Sequence, residues 1–196
     1  MSVNISDLNK AFGEHKVLTN LNMTLEDNGI YCLMGSSGMG KTTLLRIIMG
    51  LETKDSGTIE GAPLKDISVM FQENRLCEVL TPVENVALIC NRHISRKSIH
   101  DMLSAILPEE CLTQPVSELS GGMKRRVALA RALAYPGKIV IMDEPFTGLD
   151  VNTKKDVINF ILKEQKGRIL LISTHGEEDV SLLNATRIRL EDIMSV

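Results

Sequence analysis

Residues 35–42 read Gly35-Ser36-Ser37-Gly38-Met39-Gly40-Lys41-Thr42, which satisfies GxxxxGK followed by serine or threonine. The glycines let backbone N–H groups curl around a β-phosphate, and a helix start behind them adds partial positive charge. At this spacing Lys41 reaches the β- and γ-phosphates, and the Thr42 hydroxyl is a ligand for Mg2+. The stretch from Gly35 to Thr43 is therefore the candidate nucleotide-binding loop.

Ile139 to Met142 is an apolar run delivering Asp143 and Glu144 at its end, where ligands of open parallel sheets bind. Asp143 is placed to hold Mg2+. Glu144 points differently from the same strand end and could accept a proton from the water that attacks a γ-phosphate, or orient that water. The pair also suits a helix cap ahead of Pro145. These two motifs describe a phosphate-loop nucleotide-binding protein and fit small-molecule kinases and GTPases as well. Ser120, Gly121 and Gly122 add a second anion site, because they open a helix over Met123 to Tyr135 with hydroxyl and backbone donors exposed.

The elements that carry these residues are legible in the apolar pattern. Leu21, Met23 and Leu25 alternate with Asn22, Thr24 and Glu26, the period of a half-buried strand in an early β-rich region. Ile30 to Met34, Ile67 to Phe71, Ile139 to Met142 and Ile169 to Ile172 are short apolar runs, as in parallel strands covered on both faces. A helix is expected from Thr42 to Met49, stopped by Gly50. Another starts at Thr81, Pro82 and Glu84 ahead of Val86 to Cys90, and a third carries Val157, Ile158, Ile161 and Leu162. Strands alternating with helices predict an α/β phosphate-loop fold with a mainly parallel sheet. The expected organisation is one domain over 1–196. Its core, including an N-terminal antiparallel β region, takes 1–72 and 119–196, and 73–118 forms an inserted helical lobe.

The chain of 196 residues, 43% hydrophobic and 24% charged, suits one packed domain. A net charge of -3 offers no basic footprint for phosphate backbones, so no nucleic-acid partner is expected. No apolar run approaches the ~20 residues needed to span a bilayer as a helix, and Met1 to Lys10 is too polar for a secretory signal. Cys32, Cys77, Cys90 and Cys111 lie far apart and read as reduced packing residues in a cytosolic chain. The four histidines are equally scattered and suggest no metal cluster.

With its motifs in this order, the chain resembles the nucleotide-binding domains of ABC (ATP-binding cassette) ATPases over nearly its whole length. Ser120-Gly121-Gly122 is similar to the family's signature motif, Gln72 to its Q-loop glutamine, Gly148-Leu149-Asp150 to its D-loop and Ser173-Thr174-His175 to its switch histidine. Phe12, followed by Val17, resembles the aromatic that stacks on adenine, although a strand-end phenylalanine also packs without a ligand. The resemblance implies MgATP as substrate, with Gln72 joining Thr42 and Asp143 around Mg2+, and with Lys41, Glu144 and His175 serving hydrolysis. It also implies a head-to-tail dimer, homomeric or with a second ABC subunit, in which Ser120 and Gly122 of one subunit complete the γ-phosphate site of the other. The implied partners are integral membrane permease subunits, and a solute-binding protein is allowed for. The implied place is the cytoplasmic face of the cell membrane.

Met123 stands where the family signature usually has glutamine, and the stretches 41–72 and 72–120 are shorter than is usual. Phe71 to Leu76, with Leu80-Thr81 and Glu84-Asn85, resembles importer cassettes for sulfonates, nitrate and related small solutes. A soluble ABC ATPase that remodels DNA, ribosomes or protein assemblies usually carries two cassettes or a long coiled coil, and here there is one cassette without sustained heptads. A phosphate-loop kinase leaves Ser120 to Gly122 and His175 without a role.

Overall fold

The computed structural model describes residues 2–90 and 94–195. The strands are β1 (Val3–Phe12), β2 (His15–Leu25), β3 (Ile30–Met34), β4 (Ser56–Glu60), β5 (Ile67–Met70), β6 (Ile139–Asp143), β7 (Ile169–Ser173) and β8 (Thr186–Arg189). The helices are α1 (Lys41–Ile48), α2 (Pro82–Ala87), α3 (Arg96–Ser104), α4 (Gly121–Ala134), α5 (Val151–Glu164) and α6 (Glu177–Leu182). The chain forms two compact units. The first comprises Met1–Val69, Gly137–Glu144 and Gly167–Val196, and the second Met70–Pro136 and Pro145–Lys166.

The first unit contains two sheets. A five-stranded sheet runs β5-β6-β7-β3-β8, and its β6–β7, β7–β3 and β3–β8 pairs are parallel. Every residue of β6 and β7 is buried, which is why both read as unbroken apolar runs rather than alternating ones. A separate antiparallel sheet runs β2-β1-β4. Leu21, Met23 and Leu25 of β2 are buried and Asn22 and Thr24 exposed, as the alternation predicts. The architecture is thus α/β, with a mainly parallel sheet and an antiparallel one. Helix α1 stops where expected, with Gly50 at φ 68° and its N–H donating to the Ile47 carbonyl at 3.0 Å.

In the second unit, α2 starts with a complete capping box. The Thr81 hydroxyl accepts from the Glu84 N–H, and the Glu84 carboxylate accepts from the Thr81 N–H at 3.0 Å. Behind it, the fully buried Asn85 accepts from the Cys77 N–H at 2.8 Å and donates to the carbonyls of Cys77, Leu80 and Thr81, pinning the preceding loop. The described residues of 73–118 form α2, α3 and two 3-10 turns, Glu109–Thr113 and Val116–Glu118. The unit also takes in α4 and α5. Helix α5 buries Val157, Ile158 and Ile161 but exposes Leu162.

β5 ends at Met70, one residue short of the predicted Phe71, because the Phe71 carbonyl accepts from the Arg125 guanidinium at 2.9 Å. All four cysteines are free thiols. Burial, with the charge of Asp179, pushes the Cys32 thiol up to about 12, so it stays protonated. His93 lies outside the described residues. No helix among the described residues is long and apolar enough to cross a membrane.

Candidate functional site

The glycine-rich loop joins β3 to α1 within the first unit. Gly40 is the N-cap of α1 at φ 108°, and a Cβ there would fall 2.7 Å from Val17 Cγ1, so only glycine fits. Val17 is thereby brought against the loop. No side chain caps α1, which leaves its first N–H groups directed at the loop, the arrangement that receives an anion. Lys41 is buried, and its ammonium crosses the loop to donate to the carbonyls of Gly35 at 2.6 Å and Ser36 at 3.2 Å. Ser36, Ser37 and Gly38 are exposed at the loop's crest.

Asp143 and Glu144 leave the end of β6 in different directions. Asp143 is buried; one carboxylate oxygen accepts from the Thr42 hydroxyl at 3.3 Å and the other from the Ser173 hydroxyl, directly across the β6–β7 register. Glu144 has φ 49°, a left-handed backbone that costs a non-glycine residue about 1–2 kcal/mol. Its N–H donates to the Ser173 hydroxyl at 2.9 Å and the Ser173 carbonyl at 3.2 Å. The turn swings the Glu144 carboxylate, 22% exposed, to 3.0 Å from Nε2 of the half-exposed His175. One carboxylate therefore faces the Thr42 hydroxyl from the interior, and its neighbour faces an imidazole at the surface. Strain held at such a place is a sign of function. The helix-cap alternative for the pair does not form, since the next helix, α5, starts under Asp150.

The other candidates lie elsewhere. Phe12 ends β1, 49% exposed, with the Lys10 ammonium 4.7 Å from its ring centroid; Lys10 is itself buried and paired with Glu52 at 3.0 Å. In the second unit Ser120 is the N-cap of α4, its hydroxyl accepting from the Met123 N–H at 3.3 Å, and Gly121 and Gly122 open the helix. Met123 sits with its sulfur 3.9 Å from the Cys111 thiol. Asp150 caps α5 through the N–H groups of Asn152 and Thr153, both at 3.0 Å. The Thr153 hydroxyl, then those N–H groups, hold its carboxyl below the usual range. Gln72 is exposed, and its carbonyl accepts from Arg125 at 2.6 Å.

Two positioning side chains escaped the sequence reading. Ser173 anchors both Asp143 and Glu144, yet in an apolar run ending in Ser-Thr-His it reads as a strand end. Arg125 is buried on α4 and also donates to the Asn74 side chain and the Pro145 carbonyl, both at 3.3 Å. Its signal was a charged residue two positions before the buried Val127 to Ala130, which pattern alone does not distinguish from a solvated one. Among the described residues no three His, Cys, Asp or Glu side chains gather as a metal cage. The Thr42 hydroxyl and Asp143 carboxylate are the hard oxygen pair at the loop.

A family model described as "ABC transporter" matches residues 18–147, which include the loop and both β6 carboxylates. The chain belongs to the ABC transporter family. The sulfate/thiosulfate import ATP-binding protein of Cucumis sativus is 33% identical over 215 residues, covering 96% of this chain and 61% of that protein. Its counterpart in Pseudomonas syringae pv. tomato is 33% identical over 199 residues, covering 91% of this chain and 61% of the relative. The chain thus spans about three fifths of the length of these curated relatives. A dimeric bacterial ABC transporter cassette superposes with a TM-score of 0.83 at 26% identity, covering 96% of this chain and 94% of that one. A post-hydrolysis state of an ATP-binding cassette bound to ADP and Pi superposes with a TM-score of 0.80 at 28% identity, covering 92% and 90%.

Proposed function

We propose that this chain is the ATP-binding and ATP-hydrolysing subunit of an ABC transporter. The observation that carries the reading is the meeting, in one compact unit, of Thr42 with Asp143 and of Glu144 with His175 beside the glycine-rich loop. The loop N–H groups and Lys41 hold the β- and γ-phosphates, and Phe12 stacks on adenine with Val17 against the loop. Thr42 and Asp143 offer a hydroxyl and a carboxylate, the hard oxygen donors that suit Mg2+ bound mostly by phosphate and water. Bound there, the ion would neutralise charge on the phosphates.

Glu144 accepts the proton of the attacking water, and His175, hydrogen-bonded to it, contacts the γ-phosphate. Ser120, Gly121, Gly122 and Asp150 act from the second subunit of a dimer. The domain plan is a single ABC ATPase domain over 1–196 with a helical lobe at 73–118. ATP closure and hydrolytic opening of the dimer drive permease subunits in the membrane, from its cytoplasmic side. The relatives are sulfate/thiosulfate import ATP-binding proteins, which favours uptake of a small solute.

The test is to express Glu144→Gln in the native cell, trap it with MgATP and identify what co-purifies from mildly solubilised membranes. A multi-span membrane protein at comparable stoichiometry is expected. Recovery with ribosomes, DNA or a cytosolic complex would overturn transport.

A further inference from the structure

Asp179 is 1% exposed, a charged group that the hydrolytic scheme above does not use. It stands on α6, four residues past His175, and its carboxylate accepts from the Thr174 hydroxyl. That hydroxyl in turn accepts from the Gly176 N–H at 3.1 Å, and the Asp179 N–H donates to the Gly176 carbonyl at 3.1 Å. On the other side, the Thr174 N–H donates to the Leu33 carbonyl at 3.2 Å, tying the turn to β3. A Cβ at Gly176 would fall 2.8 Å from an Asp179 carboxylate oxygen, so the turn and the carboxylate are fitted to each other. His175 is the residue between the two anchored neighbours, and its Nε2 lies 3.0 Å from Glu144.

We propose that Asp179 is a positioning residue for His175: through Thr174 and Gly176 it fixes the peptide units on both sides of the histidine and so holds the imidazole against Glu144. The role rests on the reading of Glu144 and His175 as a hydrolytic pair. Asp179 acts through the turn and not on the reacting atoms. The buried hydrogen bond from the Thr174 hydroxyl to the Asp179 carboxylate, with the Gly176 N–H donating to that same hydroxyl, makes the turn rigid. A loosely held His175 would still bind phosphate but would spend less time in the reactive geometry, so the loss falls on kcat rather than on KM for ATP.

Steady-state phosphate release by the purified full chain tests this with Asp179→Ala, Thr174→Val and Asp179→Asn, each made alone and with His175→Ala. Asp179→Ala and Thr174→Val are expected to lower kcat about 10- to 100-fold with KM for ATP unchanged. Asp179→Asn keeps an oxygen for the Thr174 hydroxyl and recovers most of the rate. In the His175→Ala background, none of the three lowers kcat further. Thr174→Val preserves side-chain shape, so the outcome stands even if Asp179→Ala fails to fold. Equal losses in both backgrounds would overturn the positioning role while leaving His175 in place. A wild-type rate in His175→Ala alone would overturn the hydrolytic pair, and the proposal with it.

Discussion

Ser173→Ala removes one buried oxygen and nothing else. Ser173 is 0% exposed on β7, where its hydroxyl donates to Asp143 and accepts from the Glu144 N–H at 2.9 Å. The Glu144 N–H keeps a second acceptor, the Ser173 carbonyl at 3.2 Å. The principal loss is therefore the hydrogen bond to the Asp143 carboxylate, about 1.5–3 kcal/mol for a charged acceptor. At ~2–4 °C per kcal/mol for a chain of this length, the midpoint of thermal unfolding should fall by about 3–12 °C. Hydrolysis should fall on the order of tenfold, because the Asp143 carboxylate and the turn carrying Glu144 lose the same anchor. Thermal unfolding followed by circular dichroism, with phosphate release at saturating MgATP, measures both. An unfolding midpoint and turnover equal to wild type would refute the view that Ser173 ties the two carboxylates together.

Glu144→Gln should lower turnover by ~10²–10⁴ while retaining nucleotide binding by fluorescence titration, since it removes the proposed proton acceptor but little volume. Gly40→Ala should destabilise urea unfolding by about 2–5 kcal/mol, summing the left-handed backbone and the 2.7 Å approach to Val17. Adding Val17→Ala should recover only the contact part. The Asp150 carboxyl titrates below its ordinary value in the folded chain, so its contribution is complete above about pH 4 and lost as pH falls through the folded value. Asp150→Asn should flatten that acid-side decline in urea stability below about pH 4, and an unchanged slope would count against the cap.

The glycine-rich loop was legible because its chemistry needs particular residues at fixed spacing, and β6 and β7 because burial on both faces makes every residue before their terminal Asp143 and Ser173 apolar. The start of α2 was legible for a local reason, since its capping box closes within four residues. The elements β1, β4, β8, α3 and α6 were not. Their stability comes from pairing and packing with distant residues: β1 lies between β2 and β4, and β8 is a four-residue edge strand against β3. Arg125 and Asp179 were missed for a related reason, because a buried charge looks like a surface charge until its carbonyl or hydroxyl partners are in place.

The sequence by itself determined the α/β class, the glycine-rich loop and the family, all of which depend on residue type and order along the chain. Only the tertiary structure decided how neighbours in sequence part company. Asp143 and Glu144 are adjacent, yet the register of β6 with β7 turns one toward Thr42, and the left-handed turn at Glu144 directs the other to His175. Residues 30 apart, Ser173 and Asp143, become hydrogen-bonded because parallel pairing sets them side by side. Hydrogen bonds of this kind depend on angles and distances between strands, and no spacing along one strand encodes them.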